Sequence, residues 1–225
     1  MTAQVQSLRG VRKVIADRMM ASLQGSAQLT YHGDADVTTL MTLRRGWKEQ
    51  GKSISLEACV IFCLVKALHA YPAFNAVSDE QSISIREAID LSLAISTPAG
   101  LMTPVLKDLG NDSLADLADK RRKLIGRAMA GQLSVSEMKG GSFTLSNLGH
   151  TRVRYFTPIL NAGQVALLGI GRLEDKLSLD EDGVVSARKL LPLSLTADHR
   201  SIDGEPAGQF LGSLCAALEV FDAMP

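Results

Sequence analysis

The sequence has no excess of either charge and no long apolar run. It carries 24 basic and 24 acidic side chains among 225 residues, for a formal net charge of zero at pH 7. A nucleic-acid groove or an anionic membrane surface requires a basic excess, so neither partner is expected. The longest apolar run, 58–65, has eight residues, whereas a bilayer crossing needs about 20. We therefore expect neither nucleic-acid nor membrane partners.

Cysteine is also scarce, with three residues at no regular spacing. Scattered cysteines in odd number form no disulfide framework, and the first residues lack the basic flank and apolar stretch of a secretory signal. These features predict a cytoplasmic protein. Cys59 and Cys63 lie four residues apart on an apolar stretch, but no Cys or His pair follows at zinc-ligand spacing. We expect small buried hydrophobes there, and no metal.

Hydrophobic residues make up 46% of the chain, enough for one sizeable core at this length. No internal repeat, low-complexity segment or shift in composition marks a boundary, so we expect a single domain over residues 1–225. Helical patterns cluster early and alternating patterns late. This order predicts an α+β fold with a mixed sheet that helices cover on one side.

The spacing of apolar residues predicts the individual elements. Helices are predicted over 11–23, from Asp36 onward, over 56–70, from Ser113 to about Gly131, and after Asp203. Strands are predicted over 82–86, 91–97, 142–146, 164–170 and 184–196. The helix over 56–70 is apolar nearly all round, which is typical of an interior or a subunit contact. The basic run 120–123 is expected to form a solvated helix face rather than a phosphate site.

A cluster of polar residues lies between the last predicted strand and the last predicted helix. It reads Thr-Ala-Asp-His-Arg-Ser-Ile-Asp-Gly-Glu-Pro over 196–206. Rigid elements on both sides can hold His199 at a cleft, where a general base is useful. A structural role fits the spacing equally well, with Asp203 as the N-cap of the last helix and Asp198 and Arg200 as surface charges. The pattern alone leaves both interpretations open.

Resemblance to a known family favours the functional interpretation. The segment 198–204, Asp-His-Arg-Ser-Ile-Asp-Gly, resembles the active-site motif of the dihydrolipoamide acyltransferase component of 2-oxo acid dehydrogenase complexes, a relative of chloramphenicol acetyltransferase. Further segments resemble blocks of that family in the same order, so the resemblance covers essentially the whole chain: 8–19, 36–38, 72–76, 100–105, 141–149 and 167–172.

The resemblance implies a chloramphenicol acetyltransferase-like fold and the transfer of an acyl group between the thiols of dihydrolipoamide and coenzyme A. By similarity, His199 is the general base that takes the thiol proton, and Asp203 is a carboxylate that helps to fix the site. Ser146, in the block Phe-Thr-Leu-Ser-Asn-Leu-Gly, is by similarity the hydroxyl that donates to the oxyanion. Arg18, on the first helix, matches a residue that can pair with Asp203, although an exposed ion pair is the simpler interpretation.

The family's sites lie between the subunits of a trimer, with the histidine from one protomer and the serine from its neighbour. The resemblance thus implies a homotrimer, or a larger cage of trimers. The implied partners are a lipoyl domain and the dehydrogenase and dihydrolipoamide dehydrogenase components of the complex. Full-length members also carry lipoyl and subunit-binding domains, and this sequence has no Asp-Lys-Ala lipoylation site. We expect either a separated catalytic core or a free-standing relative that receives its acyl group from another carrier.

The loop after Gly149 departs from the family pattern. His-Thr-Arg-Val at 150–153 stands in place of a Met-Phe-Gly-like loop, a change that bears on the docking of substrate or lipoyl domain. Two other functions stay open: a transferase that acts on a small-molecule hydroxyl, as chloramphenicol acetyltransferase does, and an oligomeric scaffold without turnover. The joint presence of His199, Asp203 and Ser146 argues against the scaffold.

Overall fold

A computed structural model describes residues 7–79, 81–179 and 182–225. The helices are α1 (Gly10–Gly25), α2 (Thr38–Glu49), α3 (Leu56–Ala70), α4 (Leu114–Met129) and α5 (Gly204–Glu219), with short 3-10 turns at Pro72–Phe74 and Val135–Met138. The strands are β1 (Gln28–Asp36), β2 (Ala76–Ser78), β3 (Ile83–Ile85), β4 (Leu91–Thr97), β5 (Gly100–Met102), β6 (Val105–Leu106), β7 (Phe143–Asn147), β8 (Ala166–Ile170), β9 (Glu174–Leu179) and β10 (Val185–Asp198). Over these residues, every helix is too short or too polar to pass through a bilayer.

The predicted helices are confirmed, most closely where a cap marks the start. Ser55 accepts a hydrogen bond from the backbone of the first turn, and α3 begins at the predicted residue. Ser113 and Asp116 form a reciprocal capping box at the start of α4. Such caps satisfy N–H groups that the first turn leaves without a partner and contribute about 1 kcal/mol each. Helix α2, for which we predicted a cap at Asp36, begins at Thr38 with Val37 at the N-cap position, because Asp36 still belongs to β1. The Asp36 carboxylate nevertheless accepts from the N–H of Thr38 in the first turn.

The described strands form one large mixed sheet and one small ribbon. The eight-stranded sheet has the order β1-β10-β8-β7-β4-β5, with β6 beside β4 and β9 beside β10. Within it, β7 is parallel to both β4 and β8, and the other pairs are antiparallel. Strands β2 and β3 form the separate ribbon. The predicted α+β class with a mixed sheet is confirmed.

Helices α2 to α5 cover one face of the large sheet. The inward side chains of β10, Leu191, Leu193 and Leu195, are at most 1% exposed, as their alternation predicts. They belong to one core with the apolar residues of the helices, in which Phe74 stacks on Phe210 of α5 with ring centroids 4.1 Å apart. Full burial of a Leu or Phe side chain contributes about 1.5–3 kcal/mol. The contact between sheet and helices therefore holds the domain together.

The opposite face of the sheet carries polar side chains at the alternate positions. Helix α1 and the segment 148–163 lie over this face, and Ser22 Oγ of α1 donates to the carbonyl of Leu160 at 2.6 Å. The polar side chains of this face include Thr144 and Ser146 of β7 and Ser194, Thr196 and Asp198 of β10. The sheet thus has a dry face against helices and a polar face on which cavities form.

The three cysteines are free. Cys59 and Cys63 are buried on α3, as predicted, and Cys215 is partly buried on α5. Burial raises the pKa of each thiol to about 12. All three stay protonated at neutral pH.

The basic run 120–123 lies on α4, and its residues are paired with carboxylates. Three of the four form ion pairs on the surface, which confirms the predicted solvated face for them. The prediction is wrong for Arg121, whose side chain is 19% exposed and donates to Glu57 of α3 at 2.7 Å. Arg121 turns inward because the Glu57 carboxylate, between α3 and α4, forms an ion pair with it.

Candidate active site

His199 is the first residue after β10, which continues two residues beyond the predicted end. Its backbone N–H donates to the carbonyl of Ala27 at 2.8 Å, which anchors the turn 199–203 beside the start of β1. The side chain is 44% exposed, and its Nδ1 lies 3.8 Å from Oδ1 of Asp203, beyond hydrogen-bond distance. An imidazole that is anchored through its backbone and open to solvent can accept a proton from an approaching thiol.

Asp198 holds this turn in place through buried hydrogen bonds. Its side chain is 1% exposed and accepts hydrogen bonds from the backbone N–H groups of Ala27 and Arg200, each at 3.1 Å, and from the Arg200 guanidinium at 2.6 Å. Burial opposes ionisation of the carboxyl, but these hydrogen bonds outweigh it and hold its pKa below the ordinary value. The interpretation of Asp198 as a surface charge is therefore wrong.

Asp203 occupies the N-cap position of α5, but its side chain makes no capping hydrogen bond. Asp203 therefore has the position of a helix cap, as the structural alternative predicted, but its side chain does not act as one. The carboxylate is 86% exposed and faces His199. It can steady the ring through solvent, where a single charge pair contributes little.

Ser146 lies on the polar face of β7, at the wall of a cavity of about 420 Å³. The cavity runs between α1, the sheet and the segment 156–161, and most of its wall is apolar. Its polar side chains besides Ser146 include Thr103, Thr144 and Asn161. An apolar pocket with a few convergent donors is the usual form of a small-molecule site. A ligand carbonyl inside it can receive a hydrogen bond from the Ser146 hydroxyl.

A chain of buried hydrogen bonds fixes the polar wall of this cavity. The Thr144 hydroxyl donates to Oε1 of Gln164 at 2.5 Å and accepts from Nδ2 of Asn161 at 2.7 Å. The Gln164 amide in turn donates to the carbonyl of Gly141 at 2.8 Å. Because each group has its partner, Asn161 and Thr144 keep one orientation beside Ser146.

A second network holds the end of β7 from the dry side of the sheet. Asn147, next to Ser146, donates from Nδ2 to Oε2 of Glu57 at 2.5 Å and accepts from the N–H of Gly149 at 2.8 Å. Glu57 also binds Arg121 and is 13% exposed. Residue 149 must be a glycine, because a Cβ there would lie 2.8 Å from the carbonyl oxygen of Gly171. The strand end and the turn after it are thus fixed together.

The segment 150–156 is tied across the polar face to β1 and β10. Tyr155 donates to Oδ1 of Asp34 at 2.7 Å, and burial together with this bond raises the pKa of the phenol to about 12. The N–H of Phe156 donates to Ser194 Oγ at 3.3 Å. The Phe156 ring packs against Gly169, where a Cβ would come within 2.6 Å of it. The cavity wall that Phe156 supplies therefore has a fixed position.

Arg18 lines the Ser146 cavity from α1. Over the described residues of a single chain it forms no ion pair with Asp203, which instead faces His199. A pair between Arg18 and Asp203 of different chains stays a prediction.

Ser146 and His199 do not meet within one chain. Strand β8 lies between β7 and β10, and the register places Ser146 beside Gly169 and Gly169 opposite Ser194. His199 therefore stands two strands across and five residues along from Ser146, a separation of about 19 Å at ordinary strand spacings. Reacting groups must approach within about 3.5 Å. A site that uses both residues thus needs two chains.

Sequence reasoning missed the residues that support the site. Glu57 was interpreted only as an acidic residue at the start of the apolar helix, and Gln164 only as the first residue of a predicted strand. Thr144 carried a usable signal, since polar side chains at alternate positions of an apolar strand mark a polar face. The same alternation in β10 marks Ser194 and Thr196.

Comparison with known proteins defines the class to which the chain belongs. The model of the 2-oxoacid dehydrogenases acyltransferase (catalytic domain) family matches residues 1–224. The chain is a member of this family, as its motifs predicted. A curated relative from Bacillus subtilis (strain 168), the dihydrolipoyllysine-residue acetyltransferase component of an acetoin cleaving system, is 36% identical over 222 residues, which is 96% of this chain and 56% of the relative. The chain spans about half the length of the curated relatives it matches.

Solved structures show the same fold. The cubic core of the pyruvate dehydrogenase multienzyme complex has a TM-score of 0.89 at 28% identity, over 96% of this chain and 92% of that one. A dihydrolipoamide acetyltransferase from Azotobacter vinelandii, studied for the roles of one serine, one histidine and one asparagine in its catalytic mechanism, has a TM-score of 0.88 at 27% identity, with the same coverage. Chloramphenicol acetyltransferase, at 19% identity, shares the fold with a TM-score of 0.59 over 96% of this chain and 99% of that one. The predicted chloramphenicol acetyltransferase-like fold is confirmed.

Proposed function

We propose that the chain transfers an acyl group between a dihydrolipoamide thiol and the thiol of coenzyme A, as the catalytic domain of a 2-oxo acid dehydrogenase complex. The observation that carries this proposal is the His199 turn. The turn is fixed by buried Asp198 and presents an exposed imidazole, at the end of a strand of the sheet that also holds Ser146 in a cavity. Membership of the acyltransferase family supports the reaction class. Coenzyme A and the lipoyl group enter as substrates, the lipoyl group on a carrier domain.

His199 acts as the general base. Because its Nδ1 faces Asp203, Nε2 is the nitrogen that accepts the proton of the attacking thiol. A thiol near pKa 8.5 and an imidazole near 6.5 differ by about 2 units, so the transfer is uphill by roughly 2.7 kcal/mol. The thiolate attacks the thioester carbonyl, and a new C–S bond forms. When the tetrahedral intermediate collapses, the old C–S bond breaks, and the departing thiolate takes the proton back from His199.

Ser146 stabilises the intermediate. The attack places negative charge on the former carbonyl oxygen, and the Ser146 hydroxyl donates a hydrogen bond to it. A donor already in position contributes about 10²- to 10³-fold in rate. The hydrogen-bonded wall of Thr144, Asn161 and Gln164 and the fixed end of β7 keep the serine ready without reorganisation during the reaction.

The complete site forms between chains, with His199 from one protomer and Ser146 from its neighbour in a homotrimer or in a larger cage of trimers. The separation of about 19 Å within one chain, from strand spacings, supports this arrangement. The order of the residues supports their assignment to one site: in the Azotobacter vinelandii enzyme the serine and histidine lie 52 residues apart and the asparagine four further on, and Ser146, His199 and Asp203 follow at 53 and four. Asp203 is a carboxylate where that protein has an amide.

The same proposal includes the partner proteins and the cellular compartment of the domain. The domain over 1–225 receives its acyl group from a lipoyl domain and works with the dehydrogenase and dihydrolipoamide dehydrogenase components of the complex. We place it in the cytoplasm, which its three free thiols fit. The similar structure of the cubic core of the pyruvate dehydrogenase multienzyme complex, at 28% identity, supports the cage.

Turnover with free dihydrolipoamide tests the proposal. Acetyl, branched-chain and succinyl coenzyme A are offered in turn, and acyl-dihydrolipoamide is quantified beside a mass measurement of the assembly. We expect His199→Ala to lower kcat at least a hundredfold, because general-base catalysis typically contributes 10²- to 10⁴-fold. His69→Ala is the matched control, since His69 lies near the C-terminal end of α3, where its ring donates to the carbonyl of Gly110. Unchanged turnover in a correctly assembled His199→Ala variant refutes the assignment.

A further inference from the structure

An exposed basic surface lies just after the ends of β7 and β8, beyond Ser146. It consists of His150, Arg152, Arg154 and Arg172, here called the basic rim, and all four side chains are exposed. Arg154 pairs with Glu174 at 2.7 Å. Within the part of the chain that the structure describes, Arg152 and Arg172 have no carboxylate partner. Unpaired cations are notable in a chain whose net charge is zero.

Backbone hydrogen bonds bring the two halves of the basic rim side by side. The N–H of Leu148 donates to the carbonyl of Ile170 at 2.9 Å, and the N–H of Arg172 donates to the carbonyl of Val153 at 2.8 Å. Both segments leave the same end of the sheet, since β7 and β8 are parallel. The positive charge is therefore concentrated at one place.

The basic rim lies close to the Ser146 cavity along the chain. Ser146 is four residues from His150, the first residue of the rim, so at most about 13 Å of extended chain separates the two. The same segment then continues into Phe156 and Ile159, which line the cavity. Anything that docks on the rim is in position to reach Ser146 with a flexible arm.

The shape and charge of the rim indicate its occupant. Small polyanions are gripped in concave sites, whereas these side chains stand exposed on a loop, as in surfaces that steer a charged macromolecule. We propose that the basic rim is the docking surface for an acidic face of the carrier domain that brings the dihydrolipoyl group to the Ser146 cavity. This inference rests on the proposed acyl transfer and adds the contact that selects the carrier.

Charge reversal tests the inference. The probe is a reduced, lipoylated lipoyl domain of net negative charge, compared with free dihydrolipoamide at low ionic strength. We expect Arg152→Glu/Arg172→Glu to raise KM for the domain at least tenfold, because like charges then meet at the contact. The kcat value and the KM values for free dihydrolipoamide and coenzyme A should stay within twofold. The matched control Arg122→Glu/Lys123→Glu reverses two exposed charges on α4 and should leave all values unchanged.

The unlipoylated domain, titrated without turnover, should bind the Arg152→Glu/Arg172→Glu variant more weakly than it binds the wild type. Its affinity for the wild type should also fall with added salt. An unchanged KM and affinity for the domain overturns the inference. A matching rise in KM for coenzyme A also overturns it, since the rim would then hold the coenzyme's phosphates. Loss of the assembled mass assigns the rim to a subunit contact instead. Absence of turnover with free dihydrolipoamide in the wild type counts against the proposed function, and the binding measurement still tests the rim.

Discussion

Asp198 is a buried carboxylate on which the position of His199 depends. It accepts hydrogen bonds from both sides of the turn, from Ala27 before β1 and from Arg200 after the histidine. Each bond to a charged group contributes about 1.5–3 kcal/mol, and loss of a partner leaves the others unsatisfied. The residue therefore couples the stability of the domain to the placement of His199.

We expect Asp198→Asn to lower the free energy of unfolding by about 2 kcal/mol at neutral pH, because an amide cannot accept all of these bonds. The pKa of Asp198 is lowered in the folded chain, so its contribution is present above the unfolded value near 3.9 and is lost as the pH falls through the lower folded value. Urea unfolding at several pH values measures both effects. The free energies of unfolding of the wild type and the variant should differ by a constant amount above about pH 5 and converge in stronger acid. A constant difference down to pH 2 contradicts the assignment.

Elements are joined at Glu57, where α3, α4 and β7 meet. Its carboxylate binds Arg121 of α4 and Asn147 at the end of β7, and both charged side chains are less than one-fifth exposed. A buried ion pair is weak evidence for net stability, but removing one partner alone leaves an uncompensated charge. The pair thus makes the packing of three elements interdependent.

We expect Glu57→Leu to lower the free energy of unfolding by about 3 kcal/mol, since Arg121 is left buried without a carboxylate. The double variant Glu57→Leu/Arg121→Leu removes both charges and should recover most of that loss. Urea unfolding provides the measurement. Arg127 lies on the same helix as Arg121 and forms a more exposed pair with Glu137 of the Val135–Met138 turn. Arg127→Leu should therefore destabilise the domain clearly less than Glu57→Leu. Equal instability of the single and double Glu57 variants excludes the coupling.

The sequence predicted the elements whose packing is regular. Helix α3 and strand β4 were found at their observed residues because their apolar spacing alone decides burial. Strand β1 was missed, since His32, Gly33 and Asp34 break its pattern. Gly33 stands at an inward position where Leu211 of α5 leaves little room, as a Cβ would lie 3.3 Å from that side chain. Such a strand is set by its long pairing with β10, which local pattern does not encode.

The site was predictable in part for the same reason. His199 and Ser146 stand in motifs that resemblance identifies, but their partners come from distant parts of the chain. Glu57 is 90 residues from Asn147, and Ala27 is 171 from Asp198. Only the folded sheet brings these groups together.

At the scale of the whole molecule, the two faces of the large sheet differ in how well they are covered. The helices close the dry face of the sheet, whereas the polar face holds Ser146 and leaves His199 at its far end, open to solvent. Helix α1 also keeps apolar side chains exposed, Val14, Met20 and Leu23 among them. Exposed apolar side chains on this helix would be covered by another chain in the proposed assembly.

Mixed assemblies test whether the site is shared. His199→Ala and Ser146→Ala chains, each nearly inactive alone, are unfolded together in equal amounts and refolded into common oligomers. If His199 and Ser146 come from neighbouring protomers, about a quarter of the sites regain both groups, and the same fraction of activity should return. Mixing the two variants after separate refolding is the control. No recovery in the mixed oligomers means that one chain supplies both residues.

The three cysteines matter to a protein that is proposed to handle activated acyl groups. With a pKa of about 12, roughly one sulfhydryl in 10⁵ is ionised at neutral pH, and only the ionised form is a competent nucleophile. We therefore expect Cys59, Cys63 and Cys215 to react slowly with thioesters, so that they do not compete with the proposed acyl transfer.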